Sequence, residues 1–132
     1  MKFRGLRGAT TVDEDSEEAI LHATRELLVA MIEANDIHED DVASVIFTVT
    51  PDLTAAYPAR AARELGWTQV ALIDCQEMVV PGGMPRCIRV LIHWNTPKSN
   101  RELRHTFMRH AAALRPDLQE PQPAETLGTN PT

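Results

Sequence analysis

Two opposite charges stand on either side of a turn in the stretch Ile73–Trp94, I-D-C-Q-E-M-V-V-P-G-G-M-P-R-C-I-R-V-L-I-H-W. In its second half the residues alternate. Ile88, Val90, Ile92 and Trp94 share one face of a strand, and Cys87, Arg89, Leu91 and His93 share the other. Arg89 thus falls in mid-strand among apolar or weakly polar neighbours, where a guanidinium needs an anionic partner. Glu77 lies before the Pro81-Gly82-Gly83 turn, on the opposite arm of the hairpin this pattern predicts. Such a pair has two readings, a structural ion pair or two walls of a ligand site. A third charge, Arg7, ends the first predicted strand and is followed by Gly-Ala-Thr-Thr.

Around these charges the chain predicts β-α-β-α-β-β-α. Residues 2–8 read as a strand with Phe3 and Arg7 on one side and Leu6 on the other. Asp15 with Glu18 has the spacing of a capping box for a long helix, whose inner stripe is Ile20, Ala23, Thr24, Leu27, Met31 and Ala34. Asn35-Asp36 ends that helix, and the acidic run 38–41 is a short turn or helix. Residues 43–50 are apolar on both faces and β-branched, an interior strand. Pro58 and Gly66 bracket a second helix with Ala62 and Leu65 inward, and Arg60 and Glu64 can pair across one turn. Ser99 with Glu102 caps a last helix carrying Leu103, Phe107, His110 or Ala111, and Leu114, which Pro116 ends.

With 132 residues the chain is one domain, here bounded as residues 1–118, plus a proline-rich tail at 119–132 that reads as mobile. The fold class is α+β, a mixed sheet covered by helices mainly on one face. An uncovered face calls for an oligomer. A net charge of −6 argues against a general nucleic-acid surface, while leaving room for a local arginine cluster that focuses anions. Cys75 and Cys87 form no C-x-x-C pair, and His105 and His110 are five apart, on different faces of a helix, so no metal site is expected. No signal peptide, membrane span, P-loop or dinucleotide fingerprint is present, and the expected location is cytoplasmic.

Four segments occur in an order that resembles one family: R-G-L-R-G-A-T-T-V (4–12), T-P-D-L-T-A-A-Y-P-A-R-A-A-R-E-L (50–65), Q-E-M with P-G-G and C-I-R-V (76–90), and R-H-T-F with L-R-P-D-L (104–118). The resemblance is to the small monofunctional chorismate mutases of the trimeric, mixed α/β type. It implies a homotrimeric pseudo-α/β barrel with active sites in clefts between subunits, and conversion of chorismate to prephenate on the route to phenylalanine and tyrosine. That reaction breaks a C–O bond and forms a C–C bond within one dianion, and its transition state needs fixed charges rather than proton transfer, a metal or a redox cofactor. The chain has no convincing nucleophile–base set, which agrees, and no cofactor is expected.

The resemblance implies Arg89 at the ether oxygen, Arg7 on a carboxylate and Glu77 beside the ring. It further implies Tyr57, Arg60 and Arg63 along the cleft, the strand Ile73, Asp74, Cys75 and Gln76 beside it, and Leu114 and Arg115 approaching from the C-terminal stretch. Two departures stand out. Phe107 occupies a position where the family has tyrosine, serving as a cleft wall or in the core stripe. Asp74 stands three before the glutamate, where the family has a small residue; in a regular strand Cys75, not Asp74, shares the face of Glu77. A bulge would bring Asp74 inward. These departures leave a second class open, a trimeric module that binds a carboxylate metabolite without turning it over.

Overall fold

The alternation along residues 87–96 decides the architecture. In the computed structural model, which describes residues 1–118, this segment is strand β4 (Cys87–Thr96), and Ile88, Val90, Ile92 and Trp94 are all buried. It lies near the middle of a five-stranded mixed sheet ordered β3-β2-β4-β1-β5. The other strands are β1 (Lys2–Thr11), β2 (Val42–Val49), β3 (Ala71–Gln76) and β5 (Thr106–Phe107). Helices α1 (Glu17–Asn35) and α2 (Ala59–Glu64) cover the apolar face. There Leu6, Val45, Phe47, Val90, Ile92 and Trp94 meet Leu27, Leu28 and Met31 from α1 and Ala59 and Ala62 from α2. The expected α+β sheet with helices on one face is the fold observed. No helix among the described residues is long and apolar enough to cross a membrane.

Among the described residues the opposite face has no helical cover. It carries Phe3 (61% exposed), Ile73 (56% exposed) and the half-buried Ile46, Thr48, Leu91 and His93. Phe3 stacks on the His93 ring at 5.6 Å, and the Ser44 hydroxyl meets His93 Nδ1 at 2.9 Å.

Several local expectations are corrected. The stretch Ile73–Trp94 is not a hairpin. β3 pairs parallel with β2 and β4 pairs antiparallel with it, so β2 lies between the two arms. The Pro-Gly-Gly turn does form, with Gly83 N–H donating to Val80 O at 3.0 Å and Gly82 at φ +81°. A turn's own residues set its shape, but the strand partner is chosen by non-local burial, and β2, apolar on both faces, takes the interior place.

β1 runs on to Thr11, so Arg7 is mid-strand and Gly-Ala-Thr-Thr is not a loop. Ser16, not Asp15, caps α1 by accepting from Ala19 N–H at 3.1 Å. Ala34 is exposed, and Leu28 joins the buried stripe. Gly8 has a specific reason to be glycine: a Cβ there would collide with Met31 Sδ and Cε, so its absence lets α1 approach the sheet beside Arg7.

The predicted last helix is absent. Ser99 and Glu102 do form their capping box, but it closes a single 3-10 turn (Asn100–Glu102). The chain then adds Thr106–Phe107 as a parallel strand on the free edge of β1, followed among the described residues by two further 3-10 segments, Arg109–Ala113 and Pro116–Leu118. An edge strand's unpaired backbone groups attract an extended segment, and Met108 N–H donates to Ala9 O at 2.9 Å. Buried Asn35, at the end of α1, latches the segment: its Nδ2 donates to Met31 O and Arg104 O, and its Oδ1 accepts from Arg104 N–H at 2.9 Å. The expected tail at 119–132 lies outside the described residues.

Candidate active site

Sheet register assembles the charges. Residues directly opposite on paired strands share a face, and one row across the open face reads Phe107, Ala9, Arg89, Thr48, Cys75. The neighbouring row reads Arg7, Leu91, Ile46, Ile73. Arg7 is therefore one step diagonal from Arg89. Glu77 follows Cys75 by two residues and continues the ladder on β2, its N–H donating to Val49 O at 2.8 Å. Strand alternation thus turns Glu77 onto the face that carries Arg89.

The centre is a three-residue contact. Arg89 Nε lies 3.2 Å from Glu77 Oε2, and the same oxygen accepts from Thr48 Oγ1 at 2.6 Å. Binding through Nε leaves the terminal amino groups as the part of the fork that can take a further anion. Glu77 is the better shielded partner, at 26% side-chain exposure against 51% for Arg89. Cys87 sits beneath this pair. Burial pushes its thiol up, against the pull of the Arg89 charge and hydrogen bond, so it stays a neutral wall.

At the other end of the cleft Arg7 N–H donates to His105 Nδ1 at 2.9 Å, fixing the ring with its proton on Nε2. Burial, then the charges of Arg7 and Arg115, hold the His105 pKa below its ordinary value, so the ring is neutral between two guanidiniums. Arg115 is itself bridged to Asp117 through Nε and a terminal nitrogen at 3.2 and 3.0 Å. Arg7, Glu77, Arg89, Phe107, Leu114 and Arg115 all line this one cleft of about 480 Å³, together with Ala9, Ile46, Thr48 and Leu91. Three guanidiniums, a carboxylate and a hydroxyl converge among apolar side chains, the composition of a site for a small anionic molecule.

The remaining sequence-derived residues lie elsewhere. Tyr57, Arg60, Asp74, Cys75 and Gln76 line a second cleft, of about 500 Å³, at the C-terminal ends of β2 and β3. Arg63 is exposed on α2, and Ile73 is exposed on the open sheet face. Arg60 pairs with Glu64 as its spacing suggested, and also with Glu17 of α1, each at 3.2 Å. No bulge turns Asp74 toward Glu77. It faces the helical layer, where its Oδ1 accepts from Ala59 N–H at 3.0 Å at the start of α2. Burial raises its pKa, opposed by that hydrogen bond and by Arg63.

Thr48 and His105 are the residues that inspection of the sequence missed. The alternation of residues 44–48 could have put Thr48 opposite Phe47, but its bond to Glu77 depends on β3 lying beside β2. His105 had no signal, because its role exists only once β5 joins β1.

Comparison with known proteins now bears on this geometry. The family model for Chorismate mutase type I matches residues 3–118. Chorismate mutase AroH of Thermus thermophilus is 54% identical over 120 residues, covering 90% of this chain and 98% of that protein. The AroH of Bacillus subtilis (strain 168) is 45% identical over 119 residues, covering 89% and 94%. A solved chorismate mutase from Clostridium thermocellum superposes with a TM-score of 0.81 at 46% identity, covering 82% of this chain and 96% of that one. Two-thirds or more of each chain is shared at identities far above those that indicate a fold alone, and the chain belongs to the type I chorismate mutase family.

Proposed function

We propose that this isomerase converts chorismate to prephenate in a cleft that two subunits of a homotrimer complete, with Arg89, Glu77 and Arg7 as its principal charges. The carrying observation is the Arg89–Glu77 contact, a cation and a carboxylate held side by side on an open sheet face within one cleft. In the rearrangement the ether oxygen gains negative charge as its C–O bond breaks, and the ring fragment gains positive charge. Arg89 faces the first with its terminal amino groups, and Glu77 favours the second. Because Thr48 and Arg89 already hold the Glu77 carboxylate, little reorganisation remains to be done at the moment of reaction. Arg7 clamps a substrate carboxylate with a two-donor fork, Arg115 approaches from the same end, and Phe107 and Leu114 supply apolar walls. Confinement of the folded conformer supplies the rest of the rate.

Two features support the trimer. Phe3, Ile46, Ile73 and Leu91 form an apolar surface on the uncovered face, the kind a partner buries. Tyr57, Arg60 and Arg63 lie away from the Arg89 cleft within one chain, and Ile73 and Cys75, though next in its rows, do not line it, so a neighbouring copy is the simplest source of a second wall. The half-occupied Asp74 carboxylate, bonded to Ala59 and opposite Arg63, then presents less free charge to a dianion than its sequence position suggested. The two unpaired thiols suit a reducing compartment, the cytoplasm.

Subunit mixing tests the arrangement. Arg89→Ala chains and Tyr57→Ala/Arg63→Ala chains, each impaired alone, are co-expressed with different tags and purified as mixed assemblies. If one subunit donates each half, a mixed trimer of either composition keeps one intact site in three, so about a third of the wild-type activity returns. Mixed assemblies no more active than the parents would reject a shared site.

A further inference from the structure

Between β2 and α2 the loop 50–58 has no regular structure of its own, yet it carries Tyr57. Its first half is anchored: Leu53 is 4% exposed, and its N–H donates to Thr50 O at 3.0 Å. Its far end is tied where Ala59 N–H meets Asp74. The middle is held from outside by a single carboxylate. Asp15 Oδ1 accepts from Thr54 N–H at 2.9 Å and from Ala55 N–H at 3.0 Å, and Asp15 Oδ2 accepts from the Thr54 hydroxyl at 2.8 Å. Asp15 lies in the short link between β1 and α1, next to the helix cap Ser16, so its backbone is fixed by two elements of the core. The Thr54 hydroxyl first, then the backbone donors, hold its carboxyl below the ordinary carboxylate range, and it stays ionised at neutral pH.

We propose that Asp15 is a positioning residue for the rearrangement, a three-point clasp that keeps the 54–57 segment, and with it Tyr57, in the conformation that forms the second wall of the substrate cleft. This rests on the two-subunit reading above. Asp15 lines neither cleft and touches no reacting atom, so it acts only through the loop. Without the clasp, two adjacent N–H donors and a hydroxyl turn to water, and the loop samples other conformations. A site whose competent form is only fractionally populated binds more weakly by that fraction, while the chemistry in the assembled complex is unchanged. The loss therefore belongs in KM rather than kcat.

The test is steady-state kinetics with chorismate, alongside thermal melting and sedimentation, for Asp15→Ala, Asp15→Asn, Thr54→Val and Tyr57→Ala. Charged hydrogen bonds of this kind set the scale. Asp15→Ala should raise KM about tenfold with kcat within about threefold, and the exposed carboxylate's removal should leave the melting midpoint near the parent's. Asp15→Asn keeps the Oδ1 that accepts both N–H groups, so it should bring KM back to within about threefold. Parental KM in Asp15→Ala, a fall confined to kcat, or Asn behaving no better than Ala overturns the proposal. Should Asp15→Ala fail to fold, Thr54→Val removes only the hydroxyl bond and should raise KM about threefold; no rise overturns it equally. Tyr57→Ala separates the two layers. If it raises KM and Asp15→Ala does not, only the clasp is wrong. If Tyr57→Ala itself leaves kinetics untouched, the second wall is wrong and the clasp falls with it.

Discussion

Replacing Arg89 by lysine keeps the charge and removes the fork, which makes it the sharpest perturbation of the cleft. In the structure Nε holds Glu77 Oε2 at 3.2 Å, leaving separate donors for a second anion. A lysine has one ammonium for both tasks. If it stays with Glu77 it abandons the ether oxygen, and if it turns to the substrate it leaves Glu77 held by Thr48 alone. Losing one preorganised donor to a developing oxyanion costs roughly 100- to 1,000-fold in kcat, about 2.7–4 kcal/mol of barrier. Stability should change little. Arg89 is half exposed, and partly solvated ion pairs contribute about 1 kcal/mol or less. The assay is ultraviolet loss of chorismate at saturating substrate, with melting and sedimentation controls. A variant that melts several degrees lower yet retains kcat within threefold would mean the pair is structural, and the electrostatic mechanism would have lost its centre.

Three further outcomes follow from particular contacts. Phe107→Tyr places a phenolic hydroxyl on the half-buried cleft wall beside Ala9, and should lower KM a few-fold by a new hydrogen bond to a substrate carboxylate; an unchanged KM places the ring edge away from the ligand. Gly8→Ala drives a methyl into the flexible end of Met31, and should destabilise the fold by about 1 kcal/mol in denaturant titration, with Gly8→Ala/Met31→Ala losing less than the sum of the two single variants. His105 is held neutral, its folded pKa below that of an ordinary imidazole, first by burial and then by Arg7 and Arg115. Its contribution is whole above pH 6.5 and is lost as pH falls through the lower folded value, so parental stability should drop between neutral and mildly acidic pH more than that of His105→Asn; parallel curves would refute this.

Much of the fold was legible because it depended on near neighbours. The alternation at 87–96, the stripe Ile20-Ala23-Leu27-Met31, the Arg60–Glu64 spacing and the Pro-Gly-Gly turn all rest on contacts a few residues apart, and each is present. The failures share one cause. Ser99 and Glu102 make a capping box whatever follows, but a box initiates a helix only if nothing better is offered to the chain beyond it. Here the free edge of β1 offered a ladder, and residues 106–107 took it.

The same division runs through the cleft. The sequence by itself singled out the candidate groups: arginines at 7 and 89, a glutamate at 77, and no convincing nucleophile–base set. It also determined the face of Arg89, since side-chain direction in a strand follows from period two. Only the tertiary structure decided that β2 would lie between β3 and β4, which put Thr48 between Glu77 and Arg89, and that Asp74, already turned from Glu77 by alternation, would meet the start of α2. Strand order is a choice among burials far apart in the chain, and no local residue pattern encodes it.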